Sequence, residues 1–428
     1  MKKGEADISA TYDVVIAGAG PAGIAAALEA SRSGAAVALI ERYGCVGGNL
    51  TQGYVGPLLG RVCKGTIAEE LERAICPPQS STPDFELAKS ALIALLDEAG
   101  VDVYLQTVVT GADKDGEHLN RIHTAGKSGD LTFTAKVFVD ATGDGDLAVQ
   151  SGCPFRMGRD GDGLVQPVTL MFIIEGVHPD QDLLCQHEEH DTRFDDGREY
   201  LDLCHKACKS GELPPNVNIV RLYPTGRTGE RMVNATQENF VDPLDPLSVY
   251  RAERSLRRQI TCIMSFLKNK IPGFEDIRLK GSASTLGVRE SRRIMGRYLL
   301  TEQDLMEGRR FADTVVHKAY FCLDIHNPAG PGQSAHEERC PARPKRYDIP
   351  FAAMCPVGCD NLITAGRCIS GTHVAHSSYR VMRICMAMGQ AAGAAAAVMC
   401  DTQTTTDSVD VDEIRAHLMD RGVRLDEE

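Results

Sequence analysis

The stretch DVVIAGAGPAGIAAALEASRSGAAVALIE, residues 13–41, decides how the rest of the chain is read. It opens with a short apolar run, the pattern of a buried strand. Gly18, Gly20 and Gly23 follow in a G-x-G-x-x-G spacing. Pro21 and Ala22 lead into a run of helix-favouring alanines, which Gly34 closes as a C-terminal cap. A second apolar run, 36–40, ends in Glu41. Gly18 permits a tight turn, Gly20 lets backbone approach a pyrophosphate, and Gly23 lets the helix lie close on the strand. The helix N-terminus offers free amides and a positive dipole end to phosphate. An acid about 20 residues beyond the glycines accepts hydrogen bonds from ribose hydroxyls. The strand, turn, helix, strand and acid together predict a dinucleotide site. They do not separate FAD from NAD, although a carboxylate at Glu41 disfavours a ribose 2′-phosphate.

Working outward, residues 42–57 carry Arg42, Gly47, Gly48 and Asn49 in a glycine-rich loop, as expected of backbone packed against a flat ligand. Helical character runs to the proline cluster at 77–83, and an amphipathic helix is expected over 84–100. A strand is predicted over 101–109, with short hairpin strands at 121–123 and 131–134. A buried strand over 136–140 leads into Ala141, Thr142, Gly143 and Asp144, at the sheet edge where ligands bind. Residues 151–345 lack a fingerprint and read as a substrate-facing domain, with a strand at 168–175 and a long helix at 248–269. After it, a buried strand ends in Gly366 and Arg367, and a nearly uncharged Ala/Gly-rich helix runs over 381–399. The expected division is 1–150 and 346–400 for the nucleotide domain, 151–345 for the inserted domain, and 401–428 for a helical tail.

Composition narrows the partners. The chain of 428 residues has a net charge of −13, which disfavours nucleic acid and anionic membrane surfaces. No 18-residue apolar run suggests a membrane span, and the first ten residues lack the apolar core of a secretory signal. Fifteen cysteines are scattered without a C-x-x-C pair, so reduced thiols are expected rather than a metal centre or cluster. These features point to a cytoplasmic protein. A homo-oligomer is compatible with them.

Five blocks carry a family resemblance: the fingerprint with Glu41, the 44–53 loop, Asp140–Asp146, residues 286–301, and residues 360–393. The chain resembles the FAD-dependent oxidoreductases of the glutathione-reductase-like superfold. Within it, the likeness is to bacterial single-chain flavoproteins distantly similar to the succinate dehydrogenase and fumarate reductase flavoprotein subunits. The resemblance implies an α/β fold, with a Rossmann-like FAD domain and an inserted α+β substrate domain. It implies that Gly18, Gly20, Gly23 and Glu41 bind the ADP half of FAD, with Val108 near the adenine. Ala141, Thr142, Gly143, Asp144, Gly366 and Arg367 would flank the phosphate–ribityl region. The helix beginning near Arg380 would aim its N-terminus at the flavin. The 44–53 loop has no histidine for a covalent link, so non-covalent FAD is expected.

For chemistry, His373 and His376 are candidate acid–base groups beside the flavin, or else structural histidines that hold the loop to it. Arg380 and Arg383 sit where a helix dipole disfavours cations, which suggests that they serve the flavin or an anionic substrate, or else pair with a neighbouring acid. By its resemblance to the fumarate reductase relatives, Arg289, in a charged run Arg-Glu-Ser-Arg-Arg, is the candidate for a carboxylate-binding arginine, with a charged domain-interface network as the alternative. The expected reaction is hydride transfer between a small organic substrate, with a carboxylate-bearing one suggested by the arginines, and the flavin. An oxygen-using oxidase or monooxygenase and an electron-transfer subunit stand as alternatives. NAD(P)H or a redox protein is the expected electron partner.

Overall fold

The computed structural model describes residues 8–78, 80–180, 183–185, 192–330 and 343–427. In chain order the first half contains β1 (Ile8–Ala17), α1 (Pro21–Arg32), β2 (Val37–Ile40), α2 (Ile67–Ile75), α3 (Phe85–Ala99), β3 (Asp102–Tyr104), β4 (Val108–Asp115), β5 (His118–Gly126), β6 (Gly129–Asp140), α4 (Asp146–Gln150) and β7 (Phe155–Met157). Next come β8 (Phe172–Glu175), α5 (Tyr200–Ser210), β9 (Arg221–Pro224), β10 (Glu230–Asn234), α6 (Pro246–Lys270), β11 (Arg278–Ser282) and β12 (Arg292–Ile294). The chain finishes with α7 (Glu302–Glu307), β13 (Thr314–Ala319), β14 (Tyr347–Pro350), β15 (Leu362–Thr364), α8 (His373–Tyr379), α9 (Met382–Thr402) and α10 (Val411–Asp420).

A seven-stranded sheet, ordered β3-β2-β1-β6-β5-β4 with β15 beside β6, carries the nucleotide domain. β1, β2, β3, β6 and β15 are parallel, which brings the carboxyl ends of β1 and β6 side by side. The fold is α/β and Rossmann-like, with a second, mostly antiparallel sheet of β11-β8-β10-β9 in the inserted part.

Two strand expectations need correction. Residues 131–134 and 136–140 form one strand, β6. Its first half pairs antiparallel with β5 and its last residues pair parallel with β15 along the same edge. The strand expected over 101–109 breaks in two, because Gln106 adopts a left-handed backbone with φ 53°. The resulting β3 and β4 lie on opposite edges of the sheet.

Helix ends follow their local chemistry. Asp84 accepts from the amides of Glu86 and Leu87 at 3.2 Å and so caps α3, which ends on Gly100 at φ 76°. Asp245 caps α6 in the same way, with Pro246 at its first position.

The central packing is α1 against α9. A Cβ on Gly389 would lie 2.0 Å from the Ala22 carbonyl oxygen, and one on Gly393 would lie 2.4 Å from that of Ala26, so both glycines are required for this approach. Gln390 then accepts from the Ile67 amide and donates to the buried Glu29, tying α2 and α1 to α9. By length and composition α9 could cross a membrane, but 94% of its apolar window is buried inside the protein.

The apolar core around α1 and α9 also takes in Leu300, Leu305, Val315, Val316, Leu323 and Tyr347. A separate core runs from Val168 to Leu286. By packing, the inserted part therefore ends well before residue 345: β13 pairs with β14 and lies against α9. The 401–428 segment packs on the same core. Ile414 and Leu418 of α10 are buried in the first core, and His417 meets Glu29 at 3.2 Å.

Candidate active site

The carboxyl ends of β1 and β6 open onto a cleft. Gly18 turns the chain at φ +94°, where a Cβ would meet the Ala141 carbonyl oxygen at 2.6 Å. Gly23 presses α1 onto that turn, since its Cβ would sit 1.8 Å from the Gly18 oxygen. Gly20 differs from both. A Cβ there would meet nothing within 4 Å, and no side chain caps α1 at this point. The first-turn amides of α1 therefore face open space, the arrangement that receives a phosphate.

Around this turn, Glu41 is buried and accepts from the Ala19 and Tyr43 amides, each at 2.8 Å. Burial pushes its carboxyl up, while the backbone donors oppose that shift. Gly48 packs on the glycine turn, where a Cβ would lie 2.9 Å from the Gly20 Cα. Val108, Pro21, Ala22, Arg42 and Asn49 complete this end of the cleft. Ala141, Thr142, Gly143, Gly366 and Arg367 also line it, Ala141 and Thr142 lying against the Gly18 turn.

Several expected residues shape the cleft without lining it. Asp144 is buried and pairs with Arg367 at 2.6 Å and Arg42 at 3.4 Å, holding both guanidinium groups in place. Those arginines hold its carboxyl below the usual range against burial. Asp140 braces the 141–144 turn through the Thr142 amide and hydroxyl and the Ala148 amide. Burial raises it to about 6. Gly47 donates its amide to the Ala19 carbonyl at 2.7 Å. Arg383 is turned away altogether: it pairs with Glu72 on α2 and bonds the Gly60 carbonyl at 3.1 Å.

A second chamber adjoins the cleft and shares Asn49, Arg367, Arg380 and Met382 with it. Thr169, Met171, Tyr223 and Asn234 of the inserted sheet region form one wall. Arg289, Asp324 and His326 form the polar end. Arg380 donates to the Asp324 carboxylate at 3.1 Å, and its Nε has no partner. His326 approaches Asp324 at 3.5 Å through Nε2, while its Nδ1 is buried without a partner. Arg289 bonds only the Pro167 carbonyl, at 2.7 Å, and has no carboxylate partner among the described residues. Burial and the neighbouring Arg380 push it down to about 9, so it stays charged at neutral pH. Burial and Arg289 together push His326 down to about 4, so its imidazole is neutral there.

The two histidines expected to do acid–base chemistry line neither space. The His373 Nδ1 meets buried Glu290 at 2.9 Å. His376 packs edge-on against Tyr379, and burial drives its pKa well below the ordinary value. Both lie on α8, a helix buried on nearly every side, so their rings point into the core. Arg292 and Arg293 are likewise committed, to Asp146 and Glu290. Of the charged run, only Arg289 reaches the chamber. Asp324 and His326 were not expected. The signal for them is the alternation Leu323-Asp324-Ile325-His326, in which Leu323 and Ile325 are buried in apolar surroundings and the two polar residues share the opposite face.

A family model described as FAD dependent oxidoreductase matches residues 13–418. The chain belongs to the FAD-dependent oxidoreductase family. It is an enzyme of redox chemistry, and FAD is its cofactor. The cleft suits that group: an uncapped helix terminus with room at Gly20, a buried acid just past the end of β2, and two arginines, Arg42 and Arg367, held by Asp144. Among curated proteins none matches this oxidoreductase. Solved structures similar to it include a geranylgeranyl bacteriochlorophyll reductase-like protein of Thermoplasma acidophilum, at 12% identity over 97% of this chain and 83% of that one, TM-score 0.47. The p-nitrophenol 4-monooxygenase of Pseudomonas putida is similar at 12% identity, over 97% and 85% of the two chains, TM-score 0.47. A flavin-dependent brominase variant shares 15% identity over 96% and 84%, TM-score 0.47.

Proposed function

We propose that this flavoenzyme moves a hydride between a small carboxylate-bearing substrate, held in the second chamber, and FAD held in the cleft. The carrying observation is Arg289, a fully desolvated cation with no carboxylate partner among the described residues, facing a space continuous with the cofactor cleft. Arg289 and Arg380 share the field of one carboxylate, Asp324, and such a buried surplus of positive charge is costly unless an anion joins it; the Arg289 fork suits a carboxylate. Bound FAD supplies the hydride acceptor or donor. Arg289 and Arg380 grip the anion and fix its orientation. Met171, Val381 and Met382 exclude water from the reacting carbon. Neutral His326 offers an unpartnered Nδ1 as proton acceptor. An anion on Arg289 offsets the charge that depresses His326, so substrate binding itself favours proton uptake there.

The FAD is proposed to be non-covalent. Cys45 bonds Gln52 and Thr51 and does not line the cleft. Electrons are proposed to leave or arrive through a second substrate or a redox protein.

The test is an anaerobic titration of FAD-loaded protein with short mono- and dicarboxylates, followed by flavin absorption. A saturable spectral change, lost in Arg289→Gln with FAD content intact, is the expected result. No change with any carboxylate in the wild-type protein sinks the reading.

A further inference from the structure

Arg383 leads away from the cleft to a separate cavity of about 320 Å³ on the other side of the α9 N-terminus. A thin wall divides the two spaces: Leu59, Val381 and Met382 face the chamber, while Gly60, Arg61 and Arg383 face the cavity. Arg61, Lys64, Lys318, Arg346 and Arg383 contribute five cations to its lining, against Glu69, Glu72 and Glu427.

The pairing is uneven. Glu72 is taken by Arg383, with an Nε–Oε2 distance of 3.0 Å, and Glu427 by Arg424 at 2.8 Å. Arg61, Lys64 and Arg346 have no side-chain partner among the described residues. With Glu69 bonded, among the described residues, only to the Gly65 amide, the lining holds five cations against three carboxylates, a local surplus opposite in sign to the chain's net charge of −13.

Two details show that the lining is built rather than incidental. β13 carries a register irregularity between Val316 and Ala319. Within it Lys318 takes φ +53°, a conformation that side chains other than glycine rarely adopt. A bulge of this kind re-aims a side chain, and here it brings the nearly buried Lys318 to the cavity. Thr66 stands at the N-terminus of α2, 5% exposed, and among the described residues its hydroxyl caps nothing and bonds nothing. A helix N-terminus with an unused hydroxyl, set among unpaired cations, has the donor set of an anion site.

We propose that this cavity is a second binding site, distinct from the active site, for a small multiply charged anion bearing two or three phosphate or carboxylate groups. Arg61, Lys64 and Arg346 neutralise its charge, and Lys318 and Thr66 hold its inner end. Each contact is a charge-assisted hydrogen bond, so a polyanion gains over a single carboxylate by reaching several at once.

Isothermal titration calorimetry on the full-length, FAD-loaded protein tests this, with pyrophosphate and citrate as separate probes. The loaded cofactor keeps pyrophosphate out of the cleft. Saturable binding of at least one probe is expected, weakened about tenfold or more by Lys64→Ala/Arg346→Ala and unchanged by Arg289→Gln. The tighter probe tells a phosphate-bearing ligand from a polycarboxylate. The proposal is overturned if neither probe gives saturable heat, if the double variant binds as the parent does, or if Arg289→Gln abolishes binding, which would move the anion to the chamber.

Discussion

The cofactor cleft and the chamber beside it share four residues and are built on opposite plans. The cleft is a backbone construction: turns, a helix end, and glycines whose missing side chains leave room. Its Arg42 and Arg367 are already satisfied by Asp144. The chamber is a side-chain construction, drawn from segments as far apart as Asn49, Thr169, Arg289, His326 and Arg380, and its charges are unevenly matched. A site that binds one group permanently can settle its own electrostatics. A site that must release its ligand can leave a charge waiting for it.

The sharpest way to break this contrast is to fill a glycine that holds the cleft together. In Gly23→Val the new side chain collides with the Gly18 carbonyl, which is backbone and cannot swing aside. Loss of nearly all bound flavin is expected, with a fall of more than about 10 °C in melting temperature or outright misfolding. The ratio of flavin to protein absorbance, with a thermal melt, decides it. Arg289→Gln is the matching change in the chamber. It should leave FAD content intact while carboxylate affinity falls about a hundredfold, as expected when a charged partner is removed. A variant that lost flavin instead would erase the distinction between the two sites.

Acid stability comes next. The folded pKa of His326 lies near 4, below its unfolded value of about 6.5. The unfolded chain therefore binds a proton that the native chain does not, and stability falls as pH drops from 6.5 towards 4. The difference is on the order of 3 kcal/mol. Melts across that window should show a shallower decline in His326→Gln, and an unchanged slope would disprove the assignment.

A milder probe is Gly20→Ala. Its methyl enters open space, so the cofactor-free protein should melt as before while FAD affinity drops about tenfold. Smallest is Asp84→Ala, which removes the α3 cap and the 2.7 Å bond to Arg227 in the inserted region. A loss of about 1 kcal/mol, read as a shift of about 2 °C, is expected.

The same contrast explains what was legible in the sequence. Gly18, Gly20, Gly23 and Glu41 act within one β-α-β unit, where spacing along the chain is spacing in the molecule. The chamber has no such shortcut. Asp324 and His326 matter because folding brings them to Arg289 and Arg380, and no local period announces that meeting. Arg383 shows the limit from the other side. Its place at a helix start argued for the flavin, but rotation by a single residue from Met382 turns it towards Glu72. His373 and His376 misled in a similar way: a short helix next to the site can bury its polar side chains against its own core.

The contact of α1 with α9 also governs how the chain can be made. One helix is complete by residue 32, and the other begins at residue 382. Until the second emerges from the ribosome, the alanine-rich face of the first has no permanent cover. At typical translation speeds of about 5–20 residues per second, the nascent chain carries that exposed apolar strip for roughly 17–70 s. The early half of the polypeptide is therefore a client for chaperones throughout its synthesis, and the last helices act as the latch that ends the dependence.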